Sequence, residues 1–411
     1  MILTSRKPRS ALVALLLLPV LAACTAGPPA PERSSSASPS APDAAGAATE
    51  DFTPVVGRVL SIPEAYPATD GSVHIAYELL LSNVLSQQIT LDAVTVVADG
   101  ATLSQLSGDD LTSWMKVYGA DGATRAMGPG QQALVWLDVT VPSIAEVPST
   151  LSHEIAISPE RAIPPVVQTQ MTEVVASTEV DASGPVVIGA AVSGENWLDG
   201  NSCCAVTPHR AAVNPINGGL HVPERYAIDF VQLDDSGRVF DGPVDDISSY
   251  AYEGADILAV GDGPVVWMVW DLPEQKPGAN PTGLTVQQYG GNHIVQDLGN
   301  GVYAFYAHLQ PGNPEGLEVG QRLTKGQTIA TLGNSGNTDA PHLHFHLMDS
   351  PLPLASNGVA FAFERFQLQG TVPAEGVFAC AADGTPCALS DQGAGERSAV
   401  GPLWGDVLRF E

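Results

Sequence analysis

The sequence predicts an all-β fold. Between residues 52 and 160, four runs are rich in β-branched and other apolar residues, and turns containing Gly or Asp separate most of them: Val55–Ile62, Val73–Leu81, Ile89–Val97 and Gln132–Val141. Beyond residue 187, short apolar runs again alternate with Gly-rich turns. Both halves of the chain therefore have the pattern of short strands joined by tight turns.

The run Gln132–Val141 indicates how the first half is built. Its odd-numbered positions from Ala133 to Val139 are all apolar, whereas the alternate positions are mixed. Because side chains alternate between the faces of a strand, this strand would bury one face and partly cover the other. Several strands at this spacing predict an immunoglobulin-like β-sandwich over residues 52–160.

The N-terminus has the pattern of an export signal. Three basic residues precede an apolar run from Ala11 to Ala23, which is too short to span a bilayer. The run ends in Leu-Ala-Ala-Cys, which resembles the lipobox of bacterial lipoproteins, with Cys24 as the lipidated residue; an ordinary secretory signal with an incidental cysteine is the alternative. Residues 1–23 are thus predicted to be a lipoprotein signal peptide, and residues 24–51, rich in Ala, Ser and Pro, a disordered tether.

Charge and export together limit the partners. The chain carries 17 basic and 45 acidic residues, a formal net charge of −28, so a phosphate backbone would repel it and nucleic acid is not an expected partner. We expect an exported protein, held by an N-terminal lipid at the outer face of the bacterial cell membrane.

Four cysteines follow Cys24, and an even number favours disulfides in an oxidising compartment. Cys380 and Cys387 bracket a Gly-Thr-Pro turn, and we predict that they pair. The adjacent Cys203 and Cys204 leave their partners open.

Candidate chemistry is concentrated in Ala-Pro-His-Leu-His-Phe-His, residues 340–346. On a strand, His342, His344 and His346 share one face, while the intervening Leu and Phe point into a core. Neutral imidazole is a common zinc ligand, so this row is a candidate metal site.

Other motifs precede this row in a defined order. An Ala-x-x-x-Gly-x-Val hairpin covers Ala259–Val265, Tyr-x-His-Leu covers Tyr306–Leu309, and Gly-Asn-x-Gly covers Gly333–Gly336, before His-x-His at 342–344. This order resembles the lysostaphin-type, LytM-like zinc endopeptidases of bacterial cell walls. The resemblance covers roughly residues 205–350 and implies an antiparallel β-sheet peptidase domain, which we place at 187–370, followed by a C-terminal extension at 371–411.

The resemblance also implies roles for individual residues. Asp229 and His344 would be zinc ligands, His342 a general base acting on water, and His308 the histidine that stabilises the tetrahedral intermediate. This division is chemically consistent, because zinc acidifies water and polarises a carbonyl while an imidazole moves the proton.

The sequence departs from the family at one zinc ligand. The family has a His four residues before the Asp, and here that position is Arg225, whose guanidinium has no free lone pair for a metal. His209 is the substitute that we favour, ahead of His346 and His221. Alternatively, Arg225 itself pairs with Asp229 and there is no zinc.

Two functions are therefore open. The chain is either a zinc metallopeptidase that cuts peptide cross-links of peptidoglycan, or a degenerate LytM-like domain that binds cell-wall peptide or regulates a separate hydrolase. Retention of His308, His342 and His344 favours the first function, and Arg225 favours the second.

Removal of the predicted lipidation site tests the anchor. Cys24→Ala should move the protein out of the membrane fraction or leave it unprocessed, because no lipid can be attached without the thiol. Fractionation and electrophoretic mobility measure this. A variant that fractionates and migrates like the parent would show that the lipoprotein interpretation is wrong.

Overall fold

The first strands of the chain form two antiparallel sheets packed face to face. The computed structural model describes residues 50–279 and 281–411, so the predicted signal peptide, Cys24 and nearly all of the predicted tether lie outside the described residues. The elements of this part are β1 (Val55–Val59), β2 (Glu64–Pro67), β3 (Val73–Asn83), β4 (Ile89–Ala98), β5 (Ala101–Ser107), α1 (Gly108–Ser113), β6 (Met115–Val117), β7 (Ala126–Met127), β8 (Gln132–Val141), β9 (Thr150–Pro159) and β10 (Met171–Glu179).

One sheet has the order β1-β3-β8-β6, with β2 also paired to β3, and the other has the order β10-β9-β4-β5, with β7 paired to β4. The odd-numbered residues of β8 from Ala133 to Val139 are buried between the sheets, as the alternation predicts. The opposite face of β3 and β8 carries Glu78 and Trp136, which lie directly opposite each other and are also buried. This second face packs against the rest of the chain.

Strand β10 lies in a segment that the sequence indicates only as a connector, residues 161–186. Its residues from Met171 to Val175 pair with Ile157 to His153 of β9, so it is an edge strand of the sandwich. An edge strand with one exposed face needs few apolar residues, and the mostly polar sequence here hides the strand from an argument based on apolar runs.

The remaining elements are β11 (Val186–Ile188), β12 (Gly194–Gly200), α2 (Pro208–Ala211), β13 (Asn214–Ile216), β14 (Gly219–His221), β15 (Ile228–Gln232), β16 (Asp256–Leu258), β17 (Gly263–Val269), β18 (Asn292–Gly299), β19 (Val302–Leu309), β20 (Arg322–Leu323), β21 (Thr328–Thr331), β22 (Leu343–Met348), β23 (Gly358–Val359), β24 (Phe361–Phe363), β25 (Phe366–Thr371), α3 (Ala374–Asp383), β26 (Gly395–Arg397) and β27 (Asp406–Phe410). Short 3-10 turns lie at Ile144–Glu146, Ile247–Ser249 and Val286–Gln288. The all-β class is confirmed.

An 11-stranded antiparallel sheet organises this second half, in the order β20-β17-β18-β19-β22-β15-β12-β27-β25-β26, with β23 paired to β22. The segment 371–411, predicted as an extension, contributes β27 to the interior of this sheet, between β12 and β25. Strand β27 reads Asp-Val-Leu-Arg-Phe, and Val407, Leu408 and Phe410 are buried. The C-terminal residues are therefore structural.

An aromatic cluster fills the core behind the sheet. Phe363 contacts Phe230, Phe361, Phe366 and Phe410 through ring centroids 5.0 to 6.3 Å apart. Aromatic side chains bury large apolar areas, so this cluster anchors the sheet.

Both candidate cysteine pairs are disulfides. Cys380 pairs with Cys387, as predicted, and Cys203 pairs with its neighbour Cys204. Within the described residues, no helix is long and apolar enough to cross a membrane.

Candidate active site

The register of three neighbouring strands places a carboxylate beside the histidine row. Asp229 of β15 lies directly opposite His344 of β22 on one side and Gly200 of β12 on the other. The His344 Nδ1 and Asp229 Oδ1 atoms are 3.0 Å apart. The predicted convergence of Asp229 and His344 is confirmed, and the absence of a side chain at Gly200 leaves the carboxylate room on its other flank.

Helix α2 brings His209 to the same carboxylate. The helix is capped by Thr207, whose hydroxyl accepts from the Arg210 N–H and donates to the Asn201 carbonyl at 2.7 Å. His209 Nδ1 lies 3.1 Å from the Ala227 carbonyl and donates to it, which leaves Nε2 facing Asp229 Oδ2 at 3.1 Å. A backbone acceptor thus selects the tautomer that frees Nε2 as a ligand atom.

His308 reaches the site through an interruption of strand alternation. In β19, Ala304 and Tyr306 face the core, and regular alternation would place His308 on that same side. Its φ of +61° turns the backbone, and the His308 side chain lies instead among the other histidines, with its ring centroid 4.7 Å from that of His342. A left-handed non-glycine residue at the end of a strand is a conformation that recurs at functional sites.

The Gly-Asn-x-Gly loop holds His308 in this position. The Ser335 carbonyl accepts from His308 Nδ1 at 2.8 Å, and the Gly290 carbonyl accepts from the His308 N–H at 3.0 Å. Gly336 has a φ of +81°, and a Cβ there would lie 2.2 Å from the Gly291 nitrogen, so only glycine allows the loop to pack against Gly290 and Gly291.

The same loop orients His342. The buried Asn334 side chain donates to the Gln275 carbonyl and accepts from the Thr338 hydroxyl. His342 Nδ1 lies 2.8 Å from the Ala340 carbonyl, and its Nε2 lies 3.3 Å from Asp229 Oδ1. Like His209 and His308, His342 therefore has Nδ1 tied to backbone and Nε2 left for chemistry.

Three of these side chains have the spacing of metal ligands. One ligand atom from each of His209, Asp229 and His344 lies within 4.8 Å of the others, and His308, His342 and His344 form a second such group. Ligands that share a zinc ion at about 2 Å lie about 3.3 Å apart, so the first group is compact enough. Two imidazoles and one carboxylate suit zinc better than calcium or magnesium, which prefer all-oxygen sites.

The charges of this group are strongly coupled. Burial would raise the pKa of Asp229, but the imidazoles of His209 and His342 outweigh it and hold that pKa well below its usual range. Burial would lower the pKa of His209, but the Asp229 carboxylate raises it to about 9. A metal ion that takes the place of this proton must therefore displace it.

The two remaining site histidines differ in their electrostatics. Burial, and then the neighbouring imidazoles of His342 and His344, lower the pKa of His308 well below its usual value. Burial opposes protonation of His342 too, but the Asp229 carboxylate raises its pKa. One site thus holds a neutral imidazole beside a more basic one.

The cluster lies in a groove of about 590 Å³. Exposed apolar side chains surround its mouth: Val286, Tyr289, Leu352 and Phe378. Sequence reasoning missed two polar contributors, Asn201, which donates to Asp229 Oδ2 at 2.8 Å, and His293, a buried imidazole in the groove wall. Neither belongs to a motif, and the only signal for His293 was its place in the strand before Tyr-x-His-Leu.

The other candidate ligands have different positions. His346 Nδ1 lies 3.0 Å from His344 Nε2, so His346 contacts the ring edge of His344 that faces away from Asp229. His221 is half-buried in the β13–β14 hairpin, outside the groove lining. Arg225 does not pair with Asp229, as one alternative expected; its guanidinium is fully buried and binds Glu78 of the sandwich.

Comparison with known proteins agrees with this geometry. Residues 246–357 match the sequence profile described as Peptidase family M23. The chain contains a peptidase family M23 domain. The matched residues include His308, His342 and His344, whereas Asp229 and His209 precede them, so the M23 domain of this chain is completed by upstream strands.

Relatives share only part of their length with this chain. Peptidoglycan DD-endopeptidase ShyC of Vibrio cholerae serotype O1 is 32% identical over 98 residues, which are 24% of this chain and 20% of ShyC. Glycyl-glycine endopeptidase ALE-1 of Staphylococcus capitis is 29% identical over 134 residues, 32% of this chain and 26% of ALE-1. The chain thus spans about a fifth to a quarter of the length of these relatives.

Among solved structures, the catalytic domain of lysostaphin from Staphylococcus simulans matches with a TM-score of 0.22 and 22% identity, covering 41% of this chain and 88% of that one. The catalytic domain of the prophage-encoded M23 protein EnpA from Enterococcus faecalis matches with a TM-score of 0.24 and 17% identity, covering 42% and 95%.

The partner of Arg225 predicts the result of restoring the family residue. Arg225→His should lower the free energy of unfolding by about 3–5 kcal/mol, because it removes one member of a buried ion cluster, and should add no zinc ligand. Denaturant titration measures this. The matched control is Arg238→His, since Arg238 forms an exposed pair with Asp241 that contributes at most about 1 kcal/mol. Unchanged stability together with a gain of bound zinc would contradict the assignment.

Proposed function

We propose that this chain is a zinc-dependent endopeptidase that cuts peptide cross-links of peptidoglycan. The observation that carries the proposal is the convergence of His209, Asp229 and His344 at one point of a groove that also holds His308 and His342. The domain is homologous to peptidoglycan endopeptidases, which supports the substrate class.

Zinc would be held by His209 Nε2, an Asp229 oxygen and His344 Nδ1. The donor set fits, because each imidazole has its other nitrogen engaged: His209 Nδ1 by the Ala227 carbonyl, and His344 Nε2 by His346. When bound, zinc supplies a Lewis acid that polarises a carbonyl and makes water more acidic. Three protein ligands and an adjoining groove are typical of a catalytic rather than a structural zinc site.

The proton transfers are assigned to the two remaining histidines. His342 presents Nε2 as a proton acceptor, since Nδ1 donates to the Ala340 carbonyl, and it acts as the general base toward the attacking water. His308 is held in the same way by Ser335. Once protonated, the same nitrogen of either ring can donate to the developing oxyanion or to the leaving amine.

The groove suits an extended peptide with a modest apolar content. Its floor is one face of the large sheet, from the histidine row to His293 and Trp267, and its mouth is apolar at Tyr289 and Phe378. An anchor at Cys24 and a flexible tether would bring this groove to peptidoglycan outside the cell membrane, which is consistent with the proposed substrate. A partner hydrolase belongs only to the alternative in which the domain binds without cutting.

Zinc content tests the ligand set. His209→Ala and Asp229→Asn should each abolish stoichiometric zinc, because either leaves only two ligands, whereas His346→Ala should weaken binding less. Elemental analysis of the purified chain gives zinc per protein, and His221→Ala is the control outside the groove. A parent free of zinc would reject the proposal; zinc retained by His209→Ala would reject His209 as a ligand.

Hydrolysis of cross-linked muropeptides tests the chemistry. His308→Ala and His342→Ala should keep their zinc but lose roughly 10²–10⁴-fold in rate, since each removes a proton-transfer group. Mass spectrometry of released monomers measures the rate, and His221→Ala again serves as the control.

A zinc-loaded parent that sediments with insoluble peptidoglycan but releases no fragment would contradict the enzyme and favour the binding module. Variants of His308 and His342 that cut at the parental rate would leave an enzyme but remove the roles given to these residues.

A further inference from the structure

A buried cluster of three charges lies where the sandwich meets the M23 domain. Glu78 of β3 is fully buried, and so are Arg210 of α2 and Arg225. Arg210 Nε lies 3.2 Å from Glu78 Oε1, and Arg225 Nε lies 3.0 Å from Glu78 Oε2. Two guanidiniums from the M23 side thus share one carboxylate from the sandwich.

Arg210 makes further contacts that extend this junction. Its Nη2 donates to the carbonyls of Tyr77 and Leu137, in β3 and β8, at 3.2 Å each. In the opposite direction, the indole N–H of Trp136 donates to the Arg210 carbonyl at 2.7 Å. Both the side chain and the backbone of Arg210 are therefore bound to the sandwich.

The residue next to Arg210 is the proposed metal ligand His209. Helix α2 has four residues, and a helix this short has no stability of its own in water. The position of α2 must therefore come from its contacts, and its most extensive contacts are those of Arg210 with the sandwich. We infer that Glu78 is a positioning residue for the metal site: by binding Arg210 it places His209 against Asp229. This inference rests on the proposed zinc site.

The same carboxylate also determines where Arg225 points. Arg225 lies four residues before Asp229, and its guanidinium is directed to Glu78 and to the Ser61 hydroxyl, 2.7 Å away, rather than to Asp229. A guanidinium near Asp229 would repel a divalent cation. Glu78 thus holds a ligand in the site and a competing cation out of it, and the sandwich domain is part of the metal site without contacting the metal.

Zinc affinity of the full chain tests this inference. Glu78→Gln should weaken zinc binding by about 10–100-fold, the usual loss when an outer-shell partner is removed, measured by competition with a chelator at a temperature where the variant is folded. The matched control is Thr69→Val, which removes a different contact between the sandwich and the M23 part, the 2.5 Å hydrogen bond from Thr69 to Asp406. It should retain the parental affinity.

Two further variants separate positioning from general damage. Trp136→Phe keeps an aromatic ring but loses the hydrogen bond to α2, and should weaken zinc binding by about threefold to tenfold even if Glu78→Gln fails to fold. In a His209→Ala background, both substitutions should have no further effect on the residual affinity, because the ligand through which they act is already absent.

The outcomes are distinguishable. A parent without zinc affinity would remove the proposed function and this inference together. A parent that binds zinc, with Glu78→Gln and Trp136→Phe as tight as Thr69→Val, would overturn this inference alone. Equal losses with and without His209 would also overturn it, since the effect would not pass through that residue.

Discussion

The site depends on the register of strand β15 between β12 and β22. Asp229 stands opposite His344 because Ile228 pairs with Phe345 and Phe230 with Leu343, and all four flanking side chains are buried in the core. A slip of one residue would turn Asp229 into that core and bring Phe230 into the groove. Burial of the aromatic and aliphatic faces therefore places the carboxylate beside the histidine row, and the groove, its charges and its chemistry follow from that placement.

A second constraint is the exclusion of charge from water at the junction of the two β units. Burial would raise the pKa of Glu78, but Arg225 and Arg210 lower it, so the carboxylate stays ionised between two cations. Such a cluster is tolerated only where each member keeps its partners. The consequence is that residues 52–411 form one compact unit, in which the sandwich is more than a spacer.

Local pattern predicted much of the site. The period of two in residues 340–346 placed His342 and His344 on one face, and the turn around Gly333 and Gly336 marked the loop that holds His308. It did not predict the left-handed backbone at His308, because alternation assigns that side chain to the core and only the loop contacts of Ser335 and Gly290 hold it in the groove. Nor did it predict strand β10, whose exposed edge carries no apolar period.

The sequence by itself determined the β class, the groove-facing row of histidines and the absence of a metal ligand at Arg225, because these follow from side-chain chemistry and from repeats over two to ten residues. Only the tertiary structure decided which histidine stands near Asp229 and what Arg225 binds. Those answers are contacts between residues 20 and 147 positions apart, His209 with Asp229 and Glu78 with Arg225. No local period encodes them, since each depends on how the sandwich, helix α2 and the large sheet pack against one another.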